Sequence, residues 1–299
     1  MEEIKILSDC GAERIDAFIA EKTDISRSRV VKLIENGEVT VNGQRVNKKA
    51  SVRAGDEIIV IMPDAVPLEA KAENIPLDII YEDDELLVVN KPKGMVVHPA
   101  AANYDGTLVN ALLAHCGNSL SGIGGVMRPG ILHRIDKNKS GLLLVAKNDS
   151  SHQFLAQQIK EHSFTREYEA VVYGNVKNDS GRVDAPIGRH PIKRKQMAVT
   201  DKNSKNAVTH YEVIDRYDGF THIRCRLETG RTHQIRVHMA YIGHPVAGDE
   251  VYGPRKVIKE LSGQCLHAKK IGFVHPNGKY MEFESELPEY FKGFLERIK

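Results

Sequence analysis

Ile131-Leu132-His133-Arg134-Ile135-Asp136-Lys137-Asn138-Lys139-Ser140-Gly141-Leu142-Leu143-Leu144-Val145-Ala146-Lys147 sets a polar cluster between two apolar runs. Leu142 to Ala146 has the length and composition of a buried strand. His133, Arg134 and Asp136 crowd together ahead of it, and Ser140-Gly141 is expected to turn the chain. A carboxylate between apolar segments is rarely buried unless paired. Asp136 is therefore expected to be rigid and to have a cationic partner, the two properties a catalytic carboxylate needs. Taken alone, Arg-x-Asp beside a strand is more often a structural ion pair or a turn cap.

The 299 residues suffice for two domains, one with a sizeable core. Apolar content of 41% and charged content of 27% belong to an ordinary globular chain, and a net charge of +2 says little about partners. The four Cys lack Cys-x-x-Cys spacing, which argues against a zinc site and against a disulfide framework. The opening Met-Glu-Glu-Ile-Lys has no basic segment followed by an apolar one, and no run approaches the ~20 apolar residues of a membrane span. A cytoplasmic, reduced protein with no membrane contact is expected.

Upstream, residues 1–63 read as a small α/β unit. Ile15, Phe18 and Ile19 share one helical face. A second helix is expected from Ser26 as N-cap through Val30, Leu33 and Ile34 to a left-handed cap at Gly37. Val39 to Val41, a hairpin turn at Asn42-Gly43, and Ile58 to Met62 complete a small sheet. Ten Lys and Arg face eleven Asp and Glu here, yet Arg27, Arg29, Lys32, Lys48 and Lys49 cluster as a phosphate-binding face would. A solvated face is the commoner meaning of such a cluster. Arg14-Ile15-Asp16, Ser26-Arg27-Ser28, Leu33-Ile34-Glu35-Asn36-Gly37 and Val39-Thr40-Val41-Asn42-Gly43 together resemble the RNA-binding domain of ribosomal protein S-four. Residues 64–76, bracketed by prolines and without apolar periodicity, read as a linker.

Residues 77–299 form the larger domain. Hairpins are expected over 77–89 and 208–227, a strand over 166–173, and helices capped by Thr107 and by Asp149 or Ser150. Strands outnumber helices and short turns join them, so the fold class is α+β: a small α/β domain plus a catalytic domain on an antiparallel or mixed sheet flanked by helices.

Downstream, Gly230-Arg231-Thr232-His233-Gln234-Ile235-Arg236-Val237-His238-Met239 is the second polar-rich element, with Thr232 expected to cap a helix. Its two histidines, five residues apart, lie roughly 140° apart around a helix, so a shared metal is not expected. Arg231, free to swing back onto the sheet, is expected to pair with Asp136, the blander alternative being that it only contacts nearby carbonyls. There is no Gly-x-Ser-x-Gly elbow, Walker-type loop or His-Glu-x-x-His helix. Paired-carboxylate glycosidase chemistry lacks a second acid, since Asp149 follows an apolar strand.

Four separated stretches then converge on one family. His133-Arg134-Ile135-Asp136 with Ser140-Gly141-Leu142-Leu143 resembles the signature of the large ribosomal pseudouridine synthase family typified by RluA and RluD. So do Val88 to Pro99, Gly230 to His238, and Cys265-Leu266-His267-Ala268 with Phe273-Val274-His275-Pro276. The chain departs from the usual pattern at Ile135 and at Asn138-Lys139, in the turn after the carboxylate.

The resemblance implies an isomerase that turns uridines of structured RNA, large-subunit ribosomal RNA above all, into pseudouridine without a cofactor or metal. Asp136 is then the nucleophile or base that separates uracil from ribose, with Arg231 its partner. Tyr168 packs on the uracil, Arg134 fills the gap left by a flipped nucleotide, Leu266 lines the pocket and His133 contacts substrate. A monomer is expected. The rivals are a non-catalytic RNA binder, which needs no nucleophile, and a hydrolytic N-glycosidase, which releases free uracil.

Overall fold

The structure, a computed structural model, describes residues 2–299 apart from 24, 26, 63–69, 100–102, 118, 124–127, 194–195 and 257, with the side chains of Glu2, Ser28 and Arg29 also undescribed. Two compact units, residues 1–67 and 68–299, make up the chain. Residues 64–69 of the expected linker and the expected cap Ser26 lie outside the described residues.

In the first unit, strands β1 (Glu2–Leu7), β2 (Val39–Val41), β3 (Gln44–Arg45) and β4 (Glu57–Met62) form an antiparallel sheet in the order β1-β4-β2-β3. Helices α1 (Ile15–Lys22) and α2 (Arg27–Glu35) bury Ile15, Phe18, Ile19, Val30, Leu33 and Ile34 against Val39, Ile58 and Val60. Asn42 and Gly43 have φ of 49° and 77°, as a primed hairpin turn requires. Strand β1 was not expected, although Glu3-Ile4-Lys5-Ile6 alternates in strand fashion.

The second unit carries β5 (Ile79–Glu82), β6 (Leu86–Lys91), α3 (Leu108–Cys116), β7 (Ser140–Ala146), α4 (Asp149–Lys160) and β8 (Thr165–Tyr173). It continues through β9 (Ser180–Asp184), β10 (Ile187–Arg189), β11 (Met197–Val199), β12 (Val208–Tyr217), β13 (Phe220–Leu227) and α5 (Gln234–Tyr241). After β14 (Leu266–Val274) and β15 (Tyr280–Glu284), α6 (Glu289–Ile298) ends the chain. Among the described residues, nine strands share one sheet, β5-β6-β7-β14-β8-β13-β12-β9 with β15 on β14. The β7–β14 pair is parallel and its neighbours are antiparallel, so the sheet is mixed. Successive residues of a strand point to opposite faces. Leu143 and Val145 of β7 accordingly join a core with Val89, Leu108 and Ile223, while Leu142 and Leu144 join Leu155, Phe164 and Phe273 on the other face.

Three local expectations are corrected. Ser140-Gly141 does not turn the chain but opens β7, and the turn lies at Lys137-Asn138. Gly141 is required for another reason. At φ 114°, a Cβ would stand 2.3 Å from the Ala268 carbonyl oxygen, so any side chain would force β14 away. The cap of α4 is Asn148, whose side chain accepts from the Ser151 N–H at 2.9 Å, while Asp149 accepts from Ser121 and Gly122. Thr232 does not cap α5. That helix starts after His233, held at φ 59°, and Gln234 anchors it by donating to the Val208 carbonyl and accepting from Thr229 Oγ1 and the Arg231 N–H. Thr107 caps α3 in a capping box with Asn110. No helix among the described residues is long and apolar enough to cross a membrane.

Candidate active site

The loop before β7, the first half of β8 and the loop running into α5 converge on a cavity of about 490 Å³ lined by His133, Arg134, Asp136, Lys139, Arg166, Tyr168, Arg231 and His233, among others. Asp136 lies in the loop leading to β7, just before its turn at Lys137-Asn138. Its Oδ2 accepts from Arg236 Nη1 at 3.1 Å, and its Oδ1 lies 3.8 Å from His233 Nε2. Burial alone would raise its pKa, but Lys139, His233 and Arg236 outweigh that and hold it below the ordinary carboxylate range.

Arg236, not Arg231, is the cation on Asp136. Arg231 precedes α5 and donates its Nε to the Asn206 carbonyl at 2.9 Å. Arg236 lies inside α5, 5% exposed, and forks onto Asp249 with Nε–Oδ2 at 2.6 Å and Nη2–Oδ1 at 2.8 Å. Its third nitrogen is thereby aimed at Asp136. Asp249 is fixed in turn by the N–H groups of Val251 and Tyr252. The Tyr252 ring lies 5.0 Å from the guanidinium, and its hydroxyl bonds His233 Nδ1 at 2.8 Å. Burial keeps His233 below its ordinary pKa despite Asp136 nearby, and its ring stands between the Tyr252 hydroxyl it bonds and the carboxylate.

Tyr168 is buried on β8 with its ring at the cavity, and the Lys139 ammonium stands 4.7 Å from the ring centroid. His133 also borders the cavity, but its Nε2 accepts from the Leu144 N–H at 3.1 Å and its ring lies against Phe164. Burial, then Arg166 and Lys139, push its pKa down to about 3. Its work is to tie the loop to β7. Arg134 is exposed at the cavity. Leu266 is not among the lining residues: it is fully buried, pairs in register with Ala170 and packs in the core behind Tyr168.

Lys91 was not anticipated. It is fully buried, and its Nζ donates to the carbonyls of Pro92 at 2.7 Å and Met95 at 2.8 Å, with that of Lys137 at 3.4 Å. Burial first, then repulsion from Lys139, pull its pKa down to about 7. The side chain staples the loop that follows Asp136, and the signal was a lysine ending an apolar strand. His233 and His238 do not act on a metal in concert: His238 bonds Thr209 Oγ1 and the Ala185 carbonyl, and His233 bonds Tyr252. Glu82, His115 and Cys116 bring donor atoms within 4.8 Å of one another, but none lines the cavity and Glu82 already pairs with Lys147.

The basic cluster of the first unit divides by partner. Arg27 donates Nε to Asp16 at 3.0 Å, beside the two bonds from Arg14 to the same buried carboxylate, which these guanidiniums hold far below its usual range. Lys48 pairs with Glu35 at 2.8 Å. Lys32 and Lys49 are exposed, and the Arg29 side chain lies outside the described residues.

Residues 85–241 match the family model described as RNA pseudouridylate synthase, and residues 13–58 match the S4 domain. The chain belongs to the RNA pseudouridylate synthase family. It is 53% identical over 290 residues to an "Uncharacterized RNA pseudouridine synthase YlyB" of Bacillus subtilis, covering 96% of this chain and 95% of the relative. It is 48% identical over 300 residues to the "Ribosomal large subunit pseudouridine synthase D" of Zymomonas mobilis, covering 96% and 94%. The fold resembles that of human RNA Pseudouridylate Synthase Domain Containing 1, with a TM-score of 0.58 at 23% identity over 80% of this chain and 97% of that one. This pseudouridine synthase is thus an isomerase acting on RNA, with an S4 domain at residues 13–58 ahead of its synthase region.

Proposed function

We propose that this synthase isomerises uridines in large-subunit ribosomal RNA and that Asp136 carries the chemistry. The printed names of relatives such as that of Zymomonas mobilis support the substrate class. The observation that carries the mechanism is the half-buried Asp136 carboxylate, kept ionised by Lys139 and by an Arg236 that is itself locked onto Asp249. An ionised, partly desolvated carboxylate fits all three available routes: attack on the uracil ring, attack on the anomeric carbon, or action as a base on the sugar. In each, the N1–C1′ bond breaks, the base turns, C5–C1′ forms, and the C5 proton leaves as N1 gains one. The net reaction is isomerisation, so no redox partner or co-substrate enters.

The target nucleotide is flipped into the cavity at a cost of a few kcal/mol. Tyr168 supplies an apolar ring against uracil, and exposed Arg134 offers a planar cation to occupy the vacated stack. The first unit supplies phosphate contacts through Lys32 and Lys49, with no chemistry, and the enzyme works as a cytoplasmic monomer where ribosomes are assembled. Mapping pseudouridines in ribosomal RNA from cells with and without the gene tests this. Specific large-subunit sites should revert to uridine in its absence; loss confined to other RNAs would refute the substrate assignment.

A further inference from the structure

Arg166 is a buried cation without an acid. It sits on β8, 5% exposed, and its Nε is buried with no hydrogen-bond partner among the described residues. The charged or ionisable groups facing it are the Tyr168 phenol, a second guanidinium, that of Arg231, and the His133 ring. The Phe164 ring lies 6.0 Å away, and none of these groups is a carboxylate. Other buried ions are satisfied: Asp16 by two arginines, Glu169 by His222, Arg236 by two carboxylates. The space for Arg166 is also made deliberately. A Cβ on Gly230 would stand 2.4 Å from its Nη1, so the guanidinium is seated against the bare backbone of that glycine.

A buried charge without compensation destabilises a fold, and a neighbouring like charge adds to the cost. An anion between Arg166 and Arg231 removes both penalties. Both side chains line the cavity that holds Asp136, whose carboxylate is engaged by Arg236. The ligand must therefore bring its own negative charge, and two planar forks suit phosphate oxygens. We propose that Arg166 and Arg231 form a phosphate subsite that grips the RNA backbone beside the target uridine. The proposal rests on the reading that RNA enters this cavity, and it gives Arg231 a role in binding in place of a role on the carboxylate.

The test uses an unmodified transcript of large-subunit ribosomal RNA, with full-length parent, Arg166→Met, Arg166→Lys and Gly230→Ala proteins. Affinity is measured across a salt series, and pseudouridine formation alongside it. Arg166→Met should weaken binding at least tenfold and flatten log K against log[salt] by about 0.7–0.9, one phosphate contact. It should raise KM more than it lowers kcat, and its thermal midpoint should hold or rise, because an unpaired charge has gone. Arg166→Lys should recover part of the affinity. Gly230→Ala, which keeps the guanidinium but takes its seat, should reproduce the weakened binding and guards against a folding defect in the Met variant. A parental salt slope in Arg166→Met and Gly230→Ala would overturn the subsite. Absence of pseudouridine from the parent's reaction would instead overturn the substrate reading, while the slopes still report on the anion site.

Discussion

Arg236 Nη1 stands 3.1 Å from Asp136 Oδ2 while the same guanidinium forks onto Asp249. A residue thirteen positions downstream of the arginine thus orients it toward a carboxylate one hundred positions upstream. Removing Arg236 leaves two carboxylates facing each other, one of them fully buried. Arg236→Met should cost about 3–5 kcal/mol of stability, the usual cost of breaking a buried pair from one side. It should also lower activity at least ~100-fold at neutral pH, since the pKa of Asp136 rises when its partner goes. The carboxylate is active when ionised, so activity is lost as pH falls, and the acid limb of the pH–rate profile should move upward with partial recovery at higher pH. Arg231→Met should leave that limb in place. Measuring both profiles separates the two arginines.

Lys139, where the family pattern usually differs, also holds Asp136 down, and its ammonium covers Tyr168. Lys139→Thr should raise the acid limb while leaving the rate at pH 8 within about tenfold of the parent, because Arg236 remains. An unmoved limb would show that Lys139 is electrostatically idle.

His267 bonds Ser140 Oγ through Nδ1 and Ser285 Oγ through Nε2, both at 2.8 Å, and burial pushes its pKa down to about 4. Its folded pKa lies below its unfolded value near 6.5, so the unfolded chain binds more protons in that window. Stability is then full above about pH 6.5 and is lost as pH falls toward 4. Denaturant titrations at pH 7.5 and pH 5 should show the parent losing ~2 kcal/mol more than His267→Gln.

The first unit offers a contrast between its cations. Arg27→Ala breaks a contact with buried Asp16 and should lower the stability of that unit by about 1–3 kcal/mol. The Lys32→Ala, Lys49→Ala pair should leave stability within about 0.5 kcal/mol, as surface changes do. It should flatten the salt dependence of RNA binding, where Arg27→Ala changes it less. Equal slopes in all three proteins would mark Lys32 and Lys49 as a solvated face.

The sheet was legible because Leu142 to Ala146 and the strands about it are apolar on both faces, which period and length alone report. The cationic pairing of Asp136 was legible because the carboxylate stands between apolar segments, whereas Tyr168 was singled out by the family resemblance alone, its neighbours Ala170 and Val172 reading equally as core. The partner of Asp136 was not legible. Arg231 and Arg236 are equally basic in sequence, and what separates them is Asp249, whose closeness depends on how the chain folds back after α5. The same holds for Leu266, read as a lining residue although its register opposite Ala170 buries it. Gly141 misled for a different reason: a glycine before a strand signals a turn, and the close approach of Ala268 is a contact the local sequence does not contain.

Asp136→Asn tests the central claim most directly, because it keeps the shape of the side chain and removes the ionisable carboxylate. With an unmodified large-subunit ribosomal RNA transcript, pseudouridine formation should fall below detection while RNA affinity stays within about tenfold, or ~1.4 kcal/mol. Substantial turnover by the Asn protein would contradict the assignment of Asp136 as the group that acts on the nucleotide.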